Sequence, residues 1–260
     1  MAIDALPKEK SKPKVSISDF RFLIHGWPKL GKSTLASMFP DVLFLCTEQG
    51  VAALSVYKID IHNWDDLVQA IELLKKGEHS FRTVVLDTVE LAYRYLTQKV
   101  ATENRVKHIS KMDYGAGWDE CNKRFHSMLE TLYGMGLGVI LCSHTRTVKE
   151  VQGGMAFNRR VPNLSASPRE VVAGWVDLII YLDVMEEVDE NQKVISRKRI
   201  AVCQPRPEVE AGGRLSHMPE TIELPSPRKG FQNLQAAFND AVKQLLVDYD
   251  LTDKYNLEGD

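Results

Sequence analysis

Arg21-Phe-Leu-Ile-His-Gly-Trp-Pro-Lys-Leu-Gly-Lys-Ser-Thr-Leu-Ala-Ser-Met-Phe39 is the stretch on which the fold turns. Within it, Gly26, Gly31, Lys32 and Ser33 complete the pattern G-x-x-x-x-G-K-[ST] of a phosphate-binding loop. Gly26 and Gly31 reach backbone angles closed to other residues, so that successive N–H groups can turn inward around an anion. Lys32 brings a compact charge to the β- and γ-phosphates, and the Ser33 hydroxyl is a ligand for Mg2+. The expected nucleotide-binding residues are Gly26, Trp27, Pro28, Lys29, Leu30, Gly31, Lys32, Ser33 and Thr34. Phe20 to His25 reads as a strand entering the loop. Ser33 to about Phe39 reads as a short helix, stopped by Pro40, whose dipole points at the same phosphates. The bland alternative, a Gly-Lys turn with no ligand, does not need this strand–loop–helix context. Trp27-Pro28 either stiffens the loop or offers an aromatic face to a neighbour.

Outward from the loop, Asp41 to Thr47 is a second apolar strand with Glu48 at its carboxyl end, where ligands sit in open α/β sheets. Glu48 is there either to activate a water facing the γ-phosphate or as a surface turn residue. Phe81-Arg-Thr-Val-Val-Leu-Asp-Thr88 is a β-branched run ending in Asp87, the form of the second nucleotide motif, whose carboxylate holds Mg2+. Ser33 and Asp87 are thus the expected metal ligands, with Glu90 a lesser candidate. Leu137 to Arg146 is a further buried strand; if it runs parallel, it brings His144 to the edge that holds Glu48 and Asp87. His144 reads as a γ-phosphate sensor or as a structural histidine. Glu48, Lys32 and His144 form the expected catalytic set.

Helices are expected at Trp64 to Lys76, Leu91 to about Met112 and Asp119 to Met135. Before the third of these, Arg105, Lys107, Lys111, Tyr114 and Trp118 interleave cations and aromatics, which suits single-stranded nucleic acid or marks a solvated helix end with a Gly hinge. Thr147 to Pro168 is Gly-rich and reads as a long irregular loop. From Arg146 to Arg169 it carries Arg146, Lys149, Arg159, Arg160 and Arg169 against the single acid Glu150, the expected DNA-binding set. Val176 to Asp183 is a strand, followed by a hairpin turn at Asp189 to Gln192 and a return strand to Val202. On that return, Arg197 and Arg199 share one face and Lys198 the other. The pair reaches the nucleotide of an adjacent subunit, or is a solvated edge. Pro205 to Lys229 reads as connection and Phe231 to Leu246 as a final amphipathic helix.

The chain of 260 residues divides into a basic arm (1–17), one core domain (18–247) and an acidic tail (248–260). Hydrophobic content of 44% and charged content of 26% suit a soluble globular protein. There is no apolar run of the ~20 residues that span a bilayer, nor an apolar signal core near Met1. The net charge of −2 leaves nucleic-acid binding to local patches. Cys46, Cys121, Cys142 and Cys203 are widely spaced and read as reduced core thiols.

Gly26 to Thr34, Leu43 to Glu48, Val84 to Asp87 and Leu141 to Arg146, with Asp113-Tyr-Gly-Ala-Gly-Trp118, together resemble the RecA-like P-loop ATPases, specifically the small phage-encoded proteins of single-strand annealing and recombination. That resemblance implies an α/β fold with a mostly parallel central sheet flanked by helices and an antiparallel edge hairpin. It implies an ATPase using ATP and Mg2+, DNA-dependent and slow. Glu48 would activate water, Asp87 would serve Mg2+, and His144 would stand where RecA proteins place a sensing Gln. The stretch after Arg146 resembles a DNA-binding loop, and Arg197 to Ala201 resembles the strand that reaches across a filament interface. Implied partners are single-stranded DNA, further copies of the chain in a ring or filament, and a single-strand DNA-binding protein. No membrane is implied, and the location is cytoplasmic, the host's if the chain is phage-encoded. The large flanking domains of full recombinases are missing. Two alternatives stand beside this reading: a nucleotide-gated DNA-binding module without significant ATPase, and a P-loop kinase or phosphotransferase.

Overall fold

The computed structural model describes residue 6, residues 8–252 and residue 255. The start of the expected basic arm, and Asp253, Lys254, Glu258 and Asp260 of the expected acidic tail, lie outside the described residues.

Five strands of near-continuous apolar character build the centre: β1 (Arg21–Gly26), β2 (Val42–Cys46), β4 (Thr83–Asp87), the first half of β5 (Gly138–Gln152) and the first half of β7 (Leu178–Val188). With β3 (Tyr57–Asp60) they pair in parallel in the order β3-β2-β4-β5-β1-β7. Parallel strands need both faces covered, and alternate residues supply both. Leu23, Leu45, Leu86 and Leu141 pack against α2 (Trp64–Lys75), α3 (Val89–Glu103), α4 (Ala116–Gly134) and α5 (Ala166–Trp175). Phe22, Phe44, Val85 and Ile140 face α1 (Lys32–Ala36) and α6 (Pro227–Asp248). Each fully buried Leu or Phe contributes roughly 1.5–3 kcal/mol, so the two faces carry most of the stability.

Beyond β7 the sheet turns antiparallel. β8 (Val194–Val202) pairs with β7, and β10 (Thr221–Glu223) pairs with β8. A two-residue strand, β9 (Gly212–Gly213), also pairs with β7. The expected architecture, a mostly parallel sheet between helices with an antiparallel edge hairpin, is the one observed. Arg21 ties its centre to the α5–β7 junction: it donates to both oxygens of Asp177, from Nη2 at 2.6 Å and from Nε at 2.9 Å, and its guanidinium lies over Tyr133.

Four expectations need correction. The region 147–168 is not an irregular loop. β5 continues to Gln152, and β6 (Met155–Pro162) returns along it in an eight-pair antiparallel register. Gly153 and Gly154, at φ 58° and 81°, make the tight turn whose two positive angles match the twist of the strands. The same Gly pair that suggested flexibility is a hairpin signal. Secondly, α3 stops at Glu103 rather than near Met112: Arg105 takes a positive φ of 54°, and single 3-10 turns follow up to Gly115. Thirdly, the final helix begins at Pro227, inside the stretch read as connection, with the Ser226 hydroxyl accepting from the Lys229 N–H at 3.3 Å. Fourthly, β3 was not expected, because its edge position leaves its residues mostly exposed and without an apolar run.

All four cysteines are free and buried, and desolvation pushes the Cys46 thiol up to about 11. No helix among the described residues is long and apolar enough to cross a membrane.

Candidate nucleotide-binding site

The parallel strands end together, and their carboxyl ends carry the site. β1 delivers the chain into the loop at Gly26; Lys29 and Gly31 take positive φ values of 68° and 92° there. A side chain at Gly31 would be strained, which is the physical content of that glycine. The α1 helix is only five residues long, shorter than expected, because past Ala36 its bonding tightens to three-residue turns, Met38 N–H to the Leu35 carbonyl at 3.1 Å and Phe39 N–H to the Ala36 carbonyl at 3.2 Å. Lys32 lies back across the loop, donating from Nζ to the Gly26 carbonyl at 3.0 Å and the Trp27 carbonyl at 3.2 Å. Its burial lowers the ammonium pKa, and the nearby acids Asp87, Glu90 and Glu48 oppose that shift. Trp27 is 41% exposed.

Ser33 donates its hydroxyl to Asp87 Oδ2 at 2.5 Å, which brings the two expected metal ligands together. Asp87 closes β4 and is buried; desolvation raises its pKa, and the Ser33 hydrogen bond only partly offsets this. Among the described residues no other side chain bonds to that carboxylate. A buried acid so sparsely partnered, beside a hydroxyl and a loop built for phosphates, fits a divalent cation. Ser33 and Asp87 would hold Mg2+. Behind them the Thr47 hydroxyl accepts from the Thr88 N–H at 2.7 Å and donates to the Thr88 carbonyl at 3.0 Å, locking the ends of β2 and β4.

Glu48 follows β2 with its carboxylate partly in solvent; the Thr88 hydroxyl donates to its Oε1 at 3.1 Å. Glu90, on the first turn of α3, receives two bonds at Oε1 from His144: the backbone N–H at 2.9 Å and Nδ1 at 2.8 Å. A carboxylate acceptor places the proton on Nδ1 and leaves Nε2 for another partner. The same hydrogen bond raises the His144 pKa, opposed by burial. One ligand atom each from Glu48, Glu90 and His144 lie within 4.8 Å of one another. Lys32, Ser33, Glu48, Asp87 and His144 are therefore all placed on one edge, and Glu90 has a closer part in it than its sequence position suggested.

A second histidine escaped the sequence reading. His25, wholly buried near the end of β1, contacts the Thr145 hydroxyl at 2.9 Å through Nδ1 and the Glu210 carbonyl at 2.7 Å through Nε2. A carbonyl only accepts, so Nε2 carries the proton and Nδ1 accepts from Thr145. Burial holds this imidazole neutral and lowers its pKa to about 4. Its position one residue before Gly26 was the available signal.

The expected DNA-binding cations do not form one patch. Paired residues share a face in an antiparallel ladder, so the register puts Lys149 and Arg160 on one face of the β5–β6 hairpin and Arg146 and Arg159 on the other. Arg159 pairs with Glu150 at 3.2 Å, Arg160 with Asp183 at 3.3 Å, and Arg169, on α5, with Glu210 at 3.7 Å. Lys149 is exposed. The interleaved set ahead of α4 also splits: Tyr114 is fully exposed, whereas Trp118 packs on the core beside His108. On β8, Arg197 pairs with Glu186 at 2.8 Å, and Arg199 lies against the chain's own phosphate loop.

Residues 18–215 match the AAA domain family. The chain belongs to that family. As an AAA domain protein it is a P-loop NTPase, and the loop from Gly26 to Thr34 carries its phosphate-loop sequence pattern. It is similar to the SPbeta prophage-derived uncharacterized protein YorG of Bacillus subtilis (strain 168), at 26% identity over 252 residues, which covers 94% of this chain and 73% of the relative. Among solved structures, a KaiC-like protein from Pyrococcus horikoshii OT3 aligns over 81% of this chain and 88% of its own, at 14% identity and a TM-score of 0.45.

Proposed function

We propose that this AAA domain protein hydrolyses ATP with Mg2+, and that its nucleotide state governs its grip on single-stranded DNA in a recombination or annealing role. Assembly into rings or filaments in a host cytoplasm belongs to the same reading. The observation that carries it is the continuity of β5: one strand holds His144 against Glu90 at the nucleotide edge and runs on, without a break, into the hairpin bearing Arg146 and Lys149. A change at His144 Nε2 therefore reaches the hairpin through rigid backbone. The prophage origin of the Bacillus relative agrees with a phage setting.

In the reaction, water attacks the γ-phosphorus and the bond to the ADP oxygen breaks. Glu48 receives the water proton, Lys32 carries charge on the phosphates, and the γ-phosphate accepts a hydrogen bond from protonated His144 Nε2. Bound Mg2+ supplies further charge neutralisation at the phosphates.

The test is the ATPase rate with and without single-stranded DNA, at low and moderate salt, beside Lys32→Ala. Stimulation that fades with salt and disappears in the variant supports the reading. DNA binding without turnover would instead favour a nucleotide-gated module. Turnover indifferent to DNA, with no DNA binding, would sink both and point to a small-molecule phosphotransferase.

A further inference from the structure

We infer that Arg199 contacts the phosphate–ribose part of the nucleotide held by its own chain's loop, so that this half of the site is completed within one protomer. This rests on the nucleotide reading above and departs from the cross-subunit role that the basic strand suggested.

Three observations on β8 point the same way. Its neighbouring cations are already matched: Arg197 with Glu186 at 2.8 Å, and Lys198 with Glu187 at 2.9 Å and Glu223 at 3.4 Å. Among the described residues no carboxylate lies within ion-pair distance of Arg199, although the side chain is half-buried. A half-buried guanidinium without an acid is costly unless an anion meets it. Its placement shows where that anion would be. Nη1 lies 3.3 Å from the point that a Cβ on Gly31 would occupy, and the side chain closes a small cavity with Leu30, Gly31, Thr34, Leu224 and Pro227. The strand is not free to swing away: Arg199 pairs with Val184 of β7, and its carbonyl accepts from the Leu224 N–H at 2.8 Å on the other side.

The sheet order identifies the part of the ligand involved. Asp87 ends β4, Glu48 follows β2 and His144 is on β5, all on one side of β1; β7 and β8 lie on the other. A nucleotide whose γ-phosphate and metal meet the acids runs its nucleoside end toward β8. Arg199 thus meets the phosphate–ribose end that ATP and ADP share, and its planar fork suits phosphate oxygens.

The experiment is a fluorescence titration of ATP and ADP analogues against the full chain and its Arg199→Gln, Arg199→Lys, Lys198→Gln and Lys32→Ala variants, with melting curves for each. Arg199→Gln should weaken both nucleotides alike by about tenfold or more, the usual effect of losing a charge-assisted hydrogen bond. Arg199→Lys should recover part of the loss, while Lys198→Gln stays within about twofold. Mixing Arg199→Gln with Lys32→Ala should restore no ATP turnover, because neither chain holds a whole site. Wild-type affinity in a folded Arg199→Gln chain would overturn the inference, as would restored turnover in the mixture, which marks a residue serving its neighbour. A wild-type chain that binds neither nucleotide removes the nucleotide reading itself, a result distinct from either.

Discussion

β5 passes through two environments, and its halves make an internal comparison. From Val139 to Cys142 it lies between β1 and β4, wholly buried and apolar. From Thr145 to Gln152 it has β6 as its ladder partner, and Arg146, Lys149 and Glu150 bring charge to it. Val151 and Met155 at the far end are 73% and 75% exposed, although both are apolar. The inner half is held by packing on both faces, so its shape is dictated. The outer half is held by a backbone ladder and a Gly-Gly turn, so its surface is left to other uses. His144 sits where one regime gives way to the other, the place where a rigid strand can present a polar group to a ligand and pass its position outward.

The sharpest break in this comparison is at the buried edge. Glu48→Gln should cut ATP turnover by about 10²–10⁴-fold while nucleotide affinity stays near wild type, measured by phosphate release beside a binding titration. Retained turnover would remove Glu48 as the base. Next, Leu141→Ala in the inner half should cost roughly 2–5 kcal/mol in a denaturant melt, whereas Val151→Ala in the outer half should cost no more than about 0.5 kcal/mol. Equal losses would show that the hairpin has a core of its own.

A third effect is pH-dependent. The His25 pKa is about 4 in the folded chain against 6.5 in the unfolded one, so the unfolded state takes up the proton first as pH falls. Its contribution, roughly 3 kcal/mol, is complete above pH 6.5 and disappears as pH falls toward 4. Melting curves across that window should show the loss, and His25→Gln should remove that slope. For His144 the shift is upward, so its contribution is present at low pH and is lost as pH rises through its folded value. The smallest effect lies in the outer half. Lys149→Ala should lower the salt slope of single-stranded DNA binding by about one unit and leave stability unchanged. An unchanged slope would take Lys149 out of the interface.

Local patterns made much of this molecule legible. Gly31 is legible through its backbone angle, φ 92°, and Lys32 and Ser33 through their donors; Gly26, contrary to the expectation, takes no positive φ, and a side chain there would instead meet the Leu182 carbonyl at 3.0 Å. The runs ending at Glu48, Asp87 and His144 are legible because parallel strands buried on both faces read as apolar blocks, with polar residues where they leave the sheet. The hairpin at 145–162 was legible in principle, but its Gly153-Gly154 pair signals both looseness and a tight turn, and the ladder decides between them. β3 carries no such signal, because an exposed edge strand buries little.

What the amino-acid order settled alone is the phosphate-loop pattern, the central strands and the polar residues at their carboxyl ends, because each depends on neighbours within a few residues. The tertiary structure decided the rest. Glu90 meets His144 across 54 positions and His25 meets Glu210 across 185. Arg146, Lys149, Arg159 and Arg160 divide between the two faces of the hairpin, Arg159, Arg160 and Arg169 meet separate carboxylates, and Arg199 comes to rest on the loop of its own chain. Such meetings follow from the order of strands in the sheet, and that order is set by burying two apolar faces at once, a property of the whole chain rather than of any segment.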